Sequence, residues 1–440
     1  MCSKRITCFL LAVSAICLGA GTARAQETSA PGSELKFVLI MTRHGVRTPT
    51  WQREQLNQYS VEPWPDEGVP PGELTPYGRK LMTLFGAYDG AYLRHAGLLS
   101  ATGCADVGRV YFWADNGQRC VETGHALAEG IFPDCSVEVH SLPRGTPDPL
   151  FSPVAAGIGH SDRKLAAAAV LGRIGGDPAP LLEAYQPAFE AMQQVLLGCQ
   201  PGPNCPSAGK SVQRPLMETP SAPAKGDRSA DLRGPLSTGS TLAEDFLLEY
   251  TNGMTGQDLG WGRVNESNLR LMMSLHVAYA DLARRTSYIA RTSGSNLLDH
   301  ILRTMQQAVE GKPVPGALGK PGDRLAVIAG HDGNLSNIAG ILGLSWLIEG
   351  DLRDDTPPGG ALVFELWRNP DKPGYSVHTY YMAQTLKQMH DALPLTLESP
   401  PAKAVVFLPG CSTAEEGLPC GWEAFQRALQ GAIDPAFVKP

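Results

Sequence analysis

The chain has 440 residues, with 37 Lys and Arg against 44 Asp and Glu, a net charge of −7. That balance excludes sequence-independent nucleic-acid binding, which needs a basic face, and it requires any anionic substrate to be captured by local arginines against an unfavourable overall field. Ten cysteines without a Cys-x-x-Cys or His-x-x-x-His spacing argue for disulfides in an oxidising compartment rather than a metal site.

Residues 1–25 read as a secretory leader. Lys4 and Arg5 are the basic end, Ile6 to about Gly21 the apolar core, and Ala23-Arg24-Ala25 a small-x-small cleavage site before Gln26. Its removal takes three bases and no acids, leaving 34 against 44, net −10, on a periplasmic or secreted chain. No later stretch reaches the roughly 18 apolar residues of a spanning helix, so no membrane partner is expected. Cys2, Cys8 and Cys17 leave with the leader. Of the seven that remain, Cys199/Cys205 and Cys411/Cys420 are short-loop pairing candidates, and an odd count leaves at least one thiol free.

Strand and helix patterns alternate from Leu35 to His140. Phe37–Met41 is a buried strand, and Thr75-Pro76 is a helix start, with Thr75 as N-cap, running towards Leu93. Val110–Ala114 is a second strand, 118–130 a helix and Val137–His140 a third strand. The composition changes after about Leu142. Helical patterns occupy 161–174 and 179–198, and 200–240 is a Pro/Gly/Ser/Lys-rich loop. Helices resume at 241–252 and in a long stretch from Glu266 to about Ala308. The strand Arg324–Ala329 restores the first pattern and leads into an apolar helix through Ile338 and Leu342. Ala361–Trp367 and Tyr375–Met382 then form a hairpin. The expected fold is α/β, a doubly wound mixed, mostly parallel sheet flanked by helices, with a mainly helical insertion domain. The expected boundaries are 26–145 and 258–440 for the α/β domain and 146–257 for the insertion.

Chemistry concentrates where two of those strands end. Phe37–Met41 runs into Arg43-His44-Gly45-Val46-Arg47-Thr48-Pro49-Thr50, which puts an imidazole and two guanidiniums in the crevice at the strand's carboxyl end. Guanidiniums grip phosphate oxygens in a bidentate fork, and an imidazole among them is a phosphorus nucleophile. Gly330-His331-Asp332 repeats the arrangement after another buried strand. Alone, a His-Asp pair reads as a helix cap beside a half-buried histidine. Coupled to the first segment on the same sheet, it reads as the second half of a site.

These segments resemble the histidine acid phosphatases, the branch of the histidine phosphatase superfamily that includes phytases. Ala329–Asn334, Thr356-Pro357-Pro358-Gly359-Gly360, Leu362–Trp367, Gly260-Trp261-Gly262-Arg263 and the Cys411/Cys420 spacing are similar to bacterial periplasmic phytases and glucose-1-phosphatases. The resemblance implies His44 as nucleophile and Asp332 as proton donor. It implies Arg43, Arg47, Arg119 and His331 as phosphate ligands and Thr50 as a contact to the rest of the substrate. Arg119 is singled out by the resemblance alone. The family has Thr after it where Cys120 stands, which implies Cys120 as the free thiol and leaves Cys104 with Cys135.

No cofactor and no metal are implied, because arginines supply the positive charge. The expected protein is a monomer acting on a small anionic phosphate ester, with phytate as one substrate. The alternatives are a glucose-1-phosphatase-like sugar-phosphate phosphatase or phosphotransferase, and an inactive anion-binding protein, against which the intact His44 and Asp332 speak. Trp51 stands where many bacterial phytases carry Lys, and Gly333 where a hydroxyl residue is frequent; both weigh against strict phytate specificity. Asn265 and Asn334 open glycosylation patterns, but a glycan beside Asp332 would block the site.

Overall fold

The computed structural model describes residues 33–199, 214, 216–218, 222–223, 232–369 and 373–439. The leader at 1–25 and Cys205 lie outside the described residues. The main sheet contains, in chain order, β1 (Glu34–Arg43), β2 (Val110–Ala114), β3 (Val139–His140), β4 (Leu325–Gly330), β5 (Ala361–Arg368), β6 (Tyr375–Ala383), β7 (Ala402–Val405) and β8 (Cys420–Gly421). Its spatial order is β8-β6-β5-β1-β4-β2-β3, with β7 also paired to β6. One half, β3-β2-β4-β1, is parallel. From β1 outward through β5 and β6 the pairing is antiparallel. The chain thus has the mixed sheet flanked by helices that its patterns predict.

Strand β1 is buried on both faces, so it reads as one apolar run rather than an alternation. Its period of two still sorts side chains between two cores. Val38 and Ile40 pack with Met82 and Phe85 of α1 (Pro76–His95) and Leu127 and Ile131 of α2 (Gln118–Ile131). Phe37, Leu39 and Met41 face the opposite layer, where a later group of helices packs. Each such side chain taken out of water contributes roughly 1.5–3 kcal/mol. Thr75 caps α1 by accepting from the Gly78 N–H, and Pro76 occupies the first turn, where no N–H is needed.

A third core lies among helices. Ala166, Phe189 and Met192 pack with Leu242 and Phe246 of α3 (Pro235–Thr251) and Leu269 and Met272 of α4 (Glu266–Ala283). Two helices differ from the sequence pattern. α3 begins at Pro235, inside the stretch expected to be loop, because Pro fits a first helical turn. Gly239, which reads as a breaker, lets Phe189 and Leu275 approach so closely that an added Cβ would meet Leu275 at 2.9 Å.

The long pattern from Glu266 is two helices, α4 and α5 (Ser287–Glu310), broken at Arg284–Thr286. At the break, the Arg284 carbonyl accepts from Asn337 Nδ2 at 2.9 Å instead of continuing the ladder. α5 packs with Leu297 and Ile301 against the sheet, beside Leu335 and Ile338 of α6 (Asp332–Leu342) and Phe425 and Leu429 of α7 (Trp422–Ala432). Cys104 is bonded to Cys135 and Cys411 to Cys420, while Cys120 is a free, buried thiol. No helix among the described residues is long and apolar enough to cross a membrane.

Candidate active site

Strands β1 and β4 are parallel neighbours, with Arg43 in register with Gly330. The segments that follow them therefore emerge side by side at the carboxyl edge of the sheet. The His44 N–H donates to the Gly330 carbonyl at 2.9 Å, which ties the two ends together. Strand β2 ends alongside, its Ala114 opposite Ala329, and delivers Asp115 and then Arg119 in the first turn of α2. On the other flank, Gly359 N–H donates to the His44 carbonyl at 3.0 Å and Arg43 N–H to the Gly360 carbonyl at 2.9 Å. The Pro-Pro-Gly-Gly segment is thus a brace for the β1 end. A Cβ on Gly360 would stand 2.1 Å from the Tyr381 hydroxyl, so only glycine fits there.

The imidazole of His44 is 2% exposed. Its Nδ1 lies 2.9 Å from the Gly45 carbonyl, which can only accept, so the proton resides on Nδ1 and Nε2 keeps its lone pair. Burial, followed by the charges of Arg43, Arg47, Arg119 and His331, holds the His44 pKa well below its ordinary value. The ring therefore stays neutral in acid. The Gly45 N–H donates to Thr123 Oγ1 at 2.9 Å, and Thr123 in turn donates to the Arg119 carbonyl at 2.6 Å, coupling the loop to α2.

Arg43 and Arg47 are both oriented by one carboxylate that the sequence reading did not single out. Glu244 on α3 accepts from Arg43 Nη2 through Oε1 and from Arg47 Nη2 through Oε2, the latter at 3.0 Å. Arg43 Nη1 also donates to the Thr356 carbonyl at 2.6 Å. Burial pushes the Glu244 carboxyl up, but Arg47 and Arg43 override it and hold the pKa at about 2. An acid inside the apolar run Leu242-Ala243-Glu244-Asp245-Phe246 was the signal available.

The other side of the pocket is built around His331. Its Nε2 lies 2.6 Å from Asp115 Oδ2, its Nδ1 3.5 Å from Arg119 Nη2, and its ring 5.6 Å from that of His44. Burial opposes a charge on His331, yet the Cys120 sulfur and the Asp115 carboxylate outweigh it and raise the pKa to about 9. The Asp115 carboxylate is the anionic partner of that imidazolium. Next to it, Asp332 accepts from the Gly333 N–H through Oδ1 at 2.8 Å and is paired to Arg284 through Oδ2. Burial would raise the Asp332 carboxyl; Arg284, Arg43 and His276 hold it well below the usual carboxylate range instead.

The structure thus brings Arg43, His44, Arg47, Arg119, His331 and Asp332 into one crevice. Thr50 is exposed, next to Gly72, whose carbonyl accepts from Arg119 Nη1 at 3.3 Å. Asn334 is buried. It accepts from the His331 N–H at 3.1 Å and donates to the Phe151 carbonyl at 3.1 Å, a bonded position unsuited to glycosylation.

Two trios could offer metal ligands, Asp115/Cys120/His331 and Glu244/His276/Asp332. In the second, Arg43, Arg47 and Arg284 already compensate both carboxylates. In the first, His331 as imidazolium offers no lone pair to a cation. Both sets favour an anion in the crevice over a metal.

The chain belongs to the histidine phosphatase superfamily (branch 2), whose family profile matches residues 34–197 and 240–382. Phytase AppA of Escherichia coli (strain K12) is 35% identical over 423 residues, which cover 93% of this chain and 94% of the relative. A glucose-1-phosphatase of Salmonella typhimurium (strain LT2) is 27% identical, covering 92% of this chain and 94% of its own. The structure of Hafnia alvei phytase in complex with myo-inositol hexakis sulphate is similar with a TM-score of 0.82 at 34% identity, covering 94% of this chain and 100% of that one.

Proposed function

We propose that this chain hydrolyses phosphate monoesters in acid through a phosphohistidine on His44, with inositol polyphosphates among its substrates. The observation that carries the reading is the state of His44: Nε2 is unprotonated and surrounded by Arg43, Arg47, Arg119 and His331. Nε2 attacks phosphorus while the three guanidiniums and the His331 imidazolium take the non-bridging oxygens and the charge that builds there. Asp332 serves the leaving oxygen, first as acid and then as base towards the water that cleaves phosphohistidine. Thr50, at the mouth, contacts the rest of the substrate. In this reading residues 146–257 form the helical insertion that roofs the crevice and supplies Glu244, and the mature chain works as a periplasmic or secreted monomer.

Acid suits this chemistry. Arg284 and Arg43 hold Asp332 ionised, so with a simple monoester the proton arrives on the substrate monoanion, which acid maintains. Phytate is favoured by the 35% identity to a phytase, and a sugar phosphate by the 27% identity to a glucose-1-phosphatase. Initial rates on phytate, glucose 1-phosphate and p-nitrophenyl phosphate, between pH 3 and 7 and after exhaustive EDTA dialysis, test the reading. The expected result is chelator-resistant turnover in acid with inhibition by vanadate. Activity lost to EDTA and restored by a divalent metal would refute it.

A further inference from the structure

We propose that Arg284 is a specificity-determining residue: it takes a second anionic group, on the carbon next to the ester being cleaved, and thereby releases the Asp332 carboxylate to the leaving oxygen. The inference rests on the phosphatase reading above and adds to it a residue and a substrate feature.

The motive is a contradiction within the site. A general acid must carry a proton on an oxygen aimed at the leaving group. Here both oxygens of Asp332 are already acceptors, Oδ1 of the Gly333 N–H at 2.8 Å and Oδ2 of the Arg284 guanidinium. In that arrangement the carboxylate is held ionised and turned away from proton donation. Of the two partners, the Gly333 N–H is part of the backbone and cannot leave, whereas a side-chain guanidinium can.

Three features make Arg284 the movable partner. Its backbone is fixed at the break between α4 and α5, where its carbonyl accepts from Asn337. Its side chain is 23% exposed, against 1% for Arg43 and 7% for Arg47, so it is the more reachable guanidinium. Gly333 leaves its flank open: a Cβ there would meet only Arg284, at 3.9 Å and beyond. Because Arg284 touches the residue that serves the leaving oxygen, it lies on the leaving-group side, where the rest of the substrate must sit. A phosphate arriving there offers a guanidinium a bidentate partner with more charge than a carboxylate.

A buried polar atom is ready to accept the exchange. His276 Nε2 is 3.8 Å from Asp332 Oδ2 and has no hydrogen-bond partner among the described residues, although the residue is 2% exposed. Once Arg284 turns to the second phosphate, this ring can steady the Asp332 carboxyl without supplying a guanidinium's permanent charge. Asp332 then takes a proton from solvent. It passes that proton to the ester oxygen as the P–O bond breaks and the bond from His44 Nε2 to phosphorus forms. A monoester lacking the second anion leaves Arg284 on Asp332 and depends on its own proton or on a stable leaving group.

The test compares wild type with Arg284→Gln and Arg284→Lys by kcat/KM on phytate, glucose 1-phosphate and p-nitrophenyl phosphate at pH 4.5, with melting temperatures for each. Expected is a fall of the phytate to glucose 1-phosphate ratio by about 10–100-fold in Arg284→Gln, the weight of one charge-assisted contact, and partial recovery in Arg284→Lys. A ratio within about twofold of wild type, or an equal loss on all three substrates, would overturn the assignment. Should wild type turn over none of the three, the phosphatase reading itself fails. An active enzyme with an unchanged ratio removes only the role of Arg284.

Discussion

The two sides of the crevice are built on different terms. On the side of the proposed nucleophile, Arg43, His44, Arg47 and Glu244 are all buried, and Glu244 binds both arginines through separate oxygens. On the side proposed to meet the leaving group, Asp332 and Arg284 are partly open and form one pair flanked by a glycine. The phosphoryl group is the same in every substrate, so the groups that hold it can be fixed in advance by packing and ion pairing. The leaving group varies, and the residues that meet it keep room to rearrange. Rigidity and adaptability are thus separated by a few ångströms.

That contrast gives an order of expected effects. Asp332→Asn should be the largest among the supporting residues, and selective. Inositol polyphosphates lose about 10²–10⁴-fold in single-turnover phosphorylation, while p-nitrophenyl phosphate, whose anion leaves unprotonated, loses little. Equal losses would make Asp332 a phosphate ligand and erase the distinction between the two sides.

Glu244→Gln should be unselective and should also cost stability. Two buried guanidiniums lose their shared anion, which destabilises by about 3–5 kcal/mol. The loosened oxygen clamp should lower kcat/KM by about 10²–10³-fold on all three substrates alike. Thermal melts and the same substrate panel check both, and a loss confined to one substrate would show that Glu244 faces the leaving group.

Asp115→Asn sharpens the boundary between the sides, because His331 sits on it. The His331 pKa is raised to about 9, so the imidazolium and the binding it supports are complete below its ordinary value of 6.5 and fade as pH rises through 9. Without Asp115 that fading begins at lower pH. Inhibition by inorganic phosphate should weaken by about tenfold at pH 7 and less at pH 4.5. An equal weakening at both values would assign Asp115 to folding alone.

The smallest effect lies outside the crevice and serves as a control. Asp89 on α1 is 3% exposed, and burial pushes its carboxyl up to about 8. Stability is therefore greatest below the ordinary carboxyl value and is lost as pH rises through about 8. Asp89→Asn should melt like wild type at pH 4 and a few degrees higher at pH 8, with unchanged kcat/KM. A melting difference that does not grow with pH would show that Asp89 is paired.

The same contrast explains what the sequence disclosed. The cluster of Arg43, His44 and Arg47 was legible because Arg43 to Arg47 is contiguous and follows an apolar strand. The His331-Asp332 pair was legible because it follows another. The strands themselves stood out as short apolar runs. Glu244 and Arg284 were not singled out, since each reaches the crevice from a helix far away in sequence, and ion pairing across such a distance leaves no periodic trace. Arg284 was further hidden by a helical pattern that runs unbroken from Glu266 past it. The break depends on Asn337, more than fifty residues later. The start of α3 was missed for a related reason. Pro235 and Gly239 read as loop residues until the neighbours that need a small residue are known.

The central assignment is His44 as the nucleophile, and rapid acid quenching and alkaline quenching after mixing with labelled substrate test it most directly. The expected product is phosphate bound to the protein, lost in acid and kept in alkali, mapping to His44 and absent from a folded His44→Ala variant. Label on a serine, an aspartate or Cys120, or label that survives the loss of His44, would contradict it.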